Sequence, residues 1–324
     1  MSYVIASLEW KGKPPDLQLW DRANKLYCVW LDRTAAKRRG QHLSLPVTVV
    51  TVAYGNPEAV RNWSREWSET GASCVISDNG NHIPALINGN VKVLPFSGNT
   101  GFGQGINRAV RECDDPVVLI TNPDTLPENA GSLAAIMDYH SSGSLTGGRT
   151  VDSSGRPTRS TGIWPTIHWV RSQIFKPAET LWRRDRMDWL QGSLILIHRD
   201  DFLQLDGFGS RFPLFFEDVD LFARAKKVGM NVDLCERSRF VHERRPGSGR
   251  DTSTRLSCFH WGMLEYFRNH DSSNADAARR MIIMKCILRL FVYAAINPEA
   301  VSGYYRGLQS VLSGIAPSLP RSGE

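Results

Sequence analysis

The run Val47-Thr48-Val49-Val50-Thr51-Val52-Ala53 constrains this chain more than any other stretch. A β-branched run without polar alternation suits a strand buried on both faces, as in parallel sheets covered by helices on either side. The next segments keep to that plan. Tyr54-Gly55-Asn56-Pro57 is turn chemistry, and Pro57 fits a first helical position, so a helix is expected through about Glu69. Residues 74–77, 91–94 and 116–121 predict further strands, with a helix over roughly 104–112 between the last two. Later segments predict a strand at 192–197, short helices at 200–205 and from 217 to 228, and short strands at 232–234 and 239–242. Gly229 is the expected C-cap of the second of those helices. Strands alternating with helices at this spacing predict an α/β chain with a Rossmann-like, doubly wound sheet. The Ser-, Gly-, Arg- and Trp-rich stretch 141–187 reads as loops or a short hairpin.

With 324 residues, the chain is long enough for one large domain or two modest ones. Three parts are expected: an extension over 1–46, a central α/β domain over 47–270, and a helical segment over 271–324. The net charge of +6 suits an anionic partner without choosing among phosphorylated substrates, lipid and nucleic acid. The cations cluster at 156–186, at 244–250 and near the C-terminus, where phosphate substrates and lipid explain them as well as nucleic acid does, so no nucleic-acid partner is expected. Six scattered cysteines without a C-x-x-C pair predict reduced thiols in a cytoplasmic setting. Residues 1–30 lack the order of a signal peptide, and no apolar run reaches about 18 residues, so no membrane-spanning helix is expected. Residues 281–296 are nearly all apolar, yet Lys285 and Arg289 interrupt them at i,i+4, with Arg279 and Arg280 at the head. That pattern fits either a buried helix with snorkelling cations or a helix on anionic lipid. The shared face of the cations favours the membrane surface, reached through 279–296.

Three carboxylates, Glu217, Asp218 and Asp220, crowd the start of a helix directly after Phe215 and Phe216. An acidic first turn complements the helix dipole, which is the structural explanation. Burial beside aromatics and mutual repulsion raise a carboxylate pKa, which is what a general base requires. Asn122-Pro123-Asp124 ends a predicted strand, where ligands bind in open α/β sheets. Its oxygens suit Mg2+ or Mn2+ on a diphosphate, although an ordinary turn has the same composition. Asp78 and Asn79 end another strand and serve either a base or ribose, or an Asx turn. His242 precedes a loop with Arg244, Arg245 and three small residues, whose cations and amides suit a diphosphate. Gly101-x-Gly103 is followed by Ile at 106, so the dinucleotide fingerprint fails and a nicotinamide cofactor is not expected.

In order, the segments 49–54, 77–80, 99–107, Asn122-Pro123-Asp124, 207–221 and 240–242 resemble glycosyltransferase family 2. The likeness is to inverting nucleotide-sugar enzymes, and most to bacterial rhamnosyltransferases using dTDP-L-rhamnose. It covers about 47–270 and implies a GT-A fold, a mixed sheet of the doubly wound kind with a helical C-terminal extension. It implies Asp218 as the base that deprotonates an acceptor hydroxyl, with Glu217 beside it. It further implies donor contacts from Thr51, Tyr54, Asp78, Asn99, Gly101, Asn107 and Asn122, and a divalent metal, Mg2+ or Mn2+, near Asp124 and His242. A glycan or polyprenyl-linked acceptor comes with the same likeness, and together with the basic C-terminal segment at 279–296 it implies a peripheral position on the cytoplasmic membrane face. UDP-galactofuranose as donor, or a non-catalytic glycan- or lipid-binding subunit of this fold, are the alternatives. Asn122 replaces the aspartate that opens the metal motif in the wider family, which weakens the metal expectation, since an amide is a poorer ligand than a carboxylate for a hard cation.

Overall fold

The computed structural model describes residues 46–80, 83, 90–175, 186–242, 252–294 and 297–320. The extension assigned to 1–46 lies outside these residues except for Pro46, as does the basic loop at 244–250.

The chain runs β1 (Val47–Ala53), α1 (Pro57–Glu69), β2 (Ser73–Asp78), β3 (Val91–Leu94), α2 (Phe102–Arg111), β4 (Val117–Thr121), β5 (Thr125–Pro127) and α3 (Gly131–Tyr139). It continues through β6 (Ser144–Val151), β7 (Thr161–Gly162), α4 (Ile167–Phe175), β8 (Trp189–Leu190), β9 (Leu194–His198), α5 (Arg199–Gln204), α6 (Glu217–Lys227) and β10 (Asn231–His242). Three helices close it: α7 (Thr252–His270), α8 (Ala275–Tyr293) and α9 (Pro298–Ser313). Eight strands form one sheet in the order β3-β2-β1-β4-β9-β6-β10-β5. The pairs β1–β2, β1–β4 and β2–β3 are parallel, and β9 turns antiparallel to β4. The expected mixed α/β sheet with a helical C-terminal region is the architecture the chain adopts.

β1 is buried at every position, as its composition requires. Its residues alternate between two cores. Val50 and Val52 join Ile120, Ile195, Phe208 and Phe222 on one face, while Val47 and Val49 meet Leu119, Leu196, Trp63 and Trp67 on the other. Trp67 stacks on Phe240 at 6.0 Å between ring centroids, and its indole N–H donates to the Thr125 carbonyl at 3.0 Å.

Two sequence expectations change and a third is refined. The stretch read as loops or a hairpin contains α4 and, at its start, the eight-residue strand β6 in the middle of the sheet. Gly147 and Gly148 hide that strand from composition, yet packing demands them: a Cβ at Gly148 would lie 2.5 Å from the Phe240 ring. The two strands expected at 232–234 and 239–242 are one strand, β10, with a register shift between Cys235 and Arg239. The C-terminal segment is two helices, α8 and α9, the second opened by Pro298 and capped by the Asn297 side chain.

The cations of α8 do not form an outer face. Lys285 is buried, its Nζ 5.7 Å from the centre of the Phe259 ring, and desolvation lowers its pKa to about 8. Arg279 donates to the carbonyls of Val311 and Leu312 at the end of α9. From Met284 onward the exposed side of α8 is instead apolar, with Met284, Ile287, Leu288, Phe291 and Val292 spaced i, i+3, i+4, i+7, i+8, and Arg280 exposed one turn before it. No helix among the described residues is long and apolar enough to cross a membrane.

Candidate active site

The acidic cluster is presented by an unusual turn. Phe215 and Phe216 both have left-handed backbone, φ +66° and +69°, which costs on the order of 1–2 kcal/mol per non-glycine residue. Packing holds it there. Phe216 lies 5.4 Å and Phe215 6.1 Å from the Phe259 ring. Gly262 of α7 leaves room for the Phe215 carbonyl, which would lie 2.8 Å from a Cβ at that position. Strain retained this way at a helix entrance is characteristic of functional sites. Here it aims the first turn of α6 at a cavity.

That cavity measures about 480 Å³ and is lined by Phe102, Asn122, Trp189, Gln191, Gly192, Ser193, 214–219, His242 and Phe259. Its wall is aromatic with a few polar groups, the usual make-up of a small-molecule site. Asp218 sits on it with both oxygens engaged: Oδ2 accepts from the Gly192 N–H at 3.0 Å and Oδ1 from the Val219 N–H at 2.8 Å. Burial raises its pKa against the pull of those two N–H groups. Glu217 is more strongly raised, by burial first and by the Asp218 charge second, and its Oε2 has no hydrogen-bond partner. Asp220 turns away from the cavity. It pairs with Arg224 at 2.8 Å and with His270 at 2.8 Å. Although its burial works to raise the pKa, those two partners hold it below the usual carboxylate range.

Asp124 and His242 are brought together at the strand ends, with Nε2 of His242 3.5 Å from Oδ1 of Asp124. Asp124 Oδ1 and His242 Nδ1 are both buried without a hydrogen-bond partner, as is Ser193 Oγ on the cavity wall. Buried polar atoms without partners are uncommon in folded proteins, and those of Ser193, Glu217 and His242, which line the cavity, are ones a polar ligand there would satisfy, with Asp124 beside His242. A hard divalent cation fits Asp124 and His242 as two donors and needs its remaining ligands from a substrate. Among the described residues no group of three or more His, Cys, Asp or Glu side chains converges to hold a metal alone.

The donor residues expected from the sequence divide into two sets. Asp78 is buried at the end of β2, where it accepts from the N–H groups of Gly80 at 2.9 Å and Ile83 at 3.2 Å. With Tyr54 it borders a shallow cleft at the ends of β1 and β2. Asn122 lines the main cavity. Asn99 and Gly101 share one loop, in which the Gly101 N–H donates to Asn99 Oδ1 at 3.2 Å. Thr51 and Asn107 point elsewhere. The buried Thr51 hydroxyl donates to the Thr121 carbonyl at 2.9 Å. Asn107 clamps Phe208 by two bonds of 2.8 Å, one to its carbonyl and one from its N–H.

Gln191, Ser193, Trp189 and Phe259 escape sequence reasoning. Composition places Gly192 and Ser193 at the opening of a strand, but β9 begins at Leu194, so 191–193 form a turn against the cavity. The small-residue pair before an apolar run is the available signal. Phe259 arrives from a helix more than forty residues beyond Phe215, and nothing local announces it.

No family model matches the chain. The N-acetylglucosaminyl-diphospho-decaprenol L-rhamnosyltransferase of Mycobacterium tuberculosis is 28% identical over 200 residues, covering 53% of this chain and 64% of that protein. This chain is a relative of named glycosyltransferases. A low-salt glycan biosynthesis hexosyltransferase of Haloferax volcanii is 22% identical over 236 residues, covering 67% of this chain and 72% of that protein. Among solved structures, a mannosyltransferase of Pyrobaculum calidifontis in complex with GDP-Man and Mn2+ is 15% identical, with 84% of this chain and 86% of that chain covered and a TM-score of 0.47. The match spans just under two thirds of the length of the first relative. The likeness to glycosyltransferases read from the sequence motifs has a named rhamnosyltransferase and a named hexosyltransferase behind it.

Proposed function

We propose that this protein is an inverting glycosyltransferase of the GT-A fold that moves a sugar, L-rhamnose from dTDP-L-rhamnose, to a lipid-linked glycan in cell-surface polysaccharide synthesis. The observation that carries the reading is Asp218, a buried carboxylate held by two backbone N–H groups on the wall of a cavity that also contains Asn122 and His242. The name of the mycobacterial relative supports the lipid-linked acceptor and the rhamnosyl donor.

In this reading Asp218 takes the proton of the acceptor hydroxyl as that oxygen attacks the anomeric carbon. The bond to the nucleoside diphosphate breaks on the opposite face, so configuration inverts and no covalent intermediate forms. The N–H groups of Gly192 and Val219 favour the ionised form of Asp218, while Glu217 holds the pair's proton. Tyr54, Asp78, Asn99, Gly101 and Asn122 bind the donor, with Thr51 and Asn107 acting behind them as supports. Asp124 and His242 would hold Mg2+ or Mn2+, which when bound neutralises charge on the leaving diphosphate. The exposed apolar side of α8 supports peripheral attachment to the cytoplasmic face of a membrane, close to a lipid-linked acceptor.

A panel of nucleotide sugars with Mg2+ or Mn2+ and a polyprenyl-diphosphate acceptor tests the proposal. The expected result is release of dTDP from dTDP-L-rhamnose, with Asp218→Asn lowering kcat by about 10²- to 10⁴-fold. Transfer from UDP-galactofuranose instead would move the donor assignment. Pyrophosphate release, or nucleotide binding without transfer to any acceptor, would overturn the reading.

A further inference from the structure

Residues 317–320 lie across the loop that carries Asn99 and Gly101. Asn99 Nδ2 donates to the Pro320 carbonyl at 2.9 Å, while its Oδ1 accepts from the Gly101 N–H at 3.2 Å. One side chain therefore joins the C-terminal segment to the backbone of the loop. Gly101, with φ +85°, is enclosed from two sides. A Cβ there would lie 2.1 Å from the Pro213 carbonyl oxygen and 3.1 Å from a methyl of Leu319. Its own carbonyl accepts from Asn79 Nδ2 at 3.0 Å.

The C-terminal segment is anchored at its other end as well. Arg306 of α9 donates to the Ser318 carbonyl at 3.0 Å and to Thr254 Oγ1 of α7 at 3.1 Å. Pro317, next to Ser318, is buried. Helix α7 carries Phe259, which lines the cavity, and Trp261, whose indole N–H donates to the Arg211 carbonyl at 2.8 Å. One short stretch of chain thus ties the helices behind the acidic cluster to the glycine loop.

We propose that 317–320 form a strap that positions the Asn99–Gly101 loop for the donor diphosphate. The inference rests on the reading of this loop as part of the donor site. Gly98 and Gly101, both with positive φ, give the loop backbone freedom, and ordering it on binding would weaken affinity. A strap that fixes the loop beforehand removes that loss without touching the reacting atoms, so it belongs to positioning and not to chemistry.

The test removes the strap and reads the loop directly. A chain ending at Ala316 is compared with the full chain by hydrogen exchange at the amides of 99–105 and by titration with dTDP, UDP and GDP. Faster exchange confined to the loop and the first turn of α2, over 99–105, roughly tenfold weaker nucleotide binding, and a kcat at saturating donor within about twofold of the full chain are expected. Unchanged exchange at 99–105 overturns the strap whatever the nucleotide data show. Faster exchange there, with no nucleotide bound by the full chain, defeats the donor-site reading and leaves a loop clamp only, which overturns the positioning role. Should the shortened chain fail to fold, Leu319→Ser and Arg306→Gln in the full chain weaken the two ends separately, and the same exchange measurement decides.

Discussion

Glu217 has a carboxylate oxygen with no hydrogen-bond partner, whereas both oxygens of its neighbour Asp218 accept from backbone N–H groups. The asymmetry goes with the stronger upward pKa shift at Glu217 and has a stability consequence of definite sign. Burial and the Asp218 charge raise the folded-state pKa of Glu217 above the unfolded value of about 4.3. A raised acid contributes stability that is full below the unfolded pKa and lost as pH rises through the folded one. Glu217→Gln cannot ionise, so thermal melts should show the variant gaining on the parent as pH climbs above the ordinary carboxylate range. A Tm difference independent of pH would sink the assignment. Because Gln mimics the protonated acid, this variant should also keep far more activity than Asp218→Asn. In the sequence the three carboxylates are indistinguishable by environment. Arg224, at i+4 from Asp220, is a legible partner, but His270 lies fifty residues away and reaches Asp220 only through the packing of α7 on α6.

At the scale of elements, strands announced by β-branched runs are legible and strands built on glycine are not. β1, β3 and β4 follow from their composition, while β6 owes its place to Phe240 and Leu190 packing where Gly148 and Gly147 have no side chain. Helix α8 illustrates the opposite error. A helix there is readable from the apolar run at 281–296, although α8 begins six residues earlier at Ala275, but the i,i+4 cations suggest an outer basic face, and Lys285 instead faces Phe259 inside. A long aliphatic stem can follow either route, and only the position of α7 and α9 decides. The exposed apolar side makes a sharper statement about membranes than the cations do. Ile287→Glu with Phe291→Glu should weaken binding to anionic phospholipid vesicles by tenfold or more, since full withdrawal of each apolar side chain from lipid costs about 1.5–3 kcal/mol and even half of that at both positions exceeds the roughly 1.4 kcal/mol of a tenfold change. Both positions are exposed, Phe291 at 79%, so circular dichroism and Tm should stay near those of the parent. Equal vesicle binding by both proteins would exclude α8 as the contact, and loss of a dimer in sedimentation would assign the face to a second copy of the chain.

Across the whole molecule, the C-terminal helices belong to the same core as the sheet. Ala278, Ile282 and Cys286 of α8, with Tyr304 and Val311 of α9, share one apolar cluster with Val50, Ile120, Phe216 and Phe222. Glycines at 303 and 307 draw α9 against α7, where a Cβ would lie 2.9 Å from Leu256 and 3.2 Å from His260 respectively. Nothing in the residue pattern announces this, since the motif resemblance stops near 270 and leaves the remainder as an extension with its own purpose. A chain ending at His270 would lose the buried wall behind Phe259. Uncovering the partners of Ile282, Tyr304 and Val311 alone forfeits roughly 1.5–3 kcal/mol for each large side chain, against a total of about 5–15 kcal/mol for a typical domain. Such a truncation should give a protein that binds a hydrophobic dye and lacks a cooperative melt, while the chain from Leu45 onward melts in one transition by calorimetry. Two separate transitions in the longer chain, or a cooperative melt in the shorter one, would mean that the helices dock on a sheet that is already stable without them.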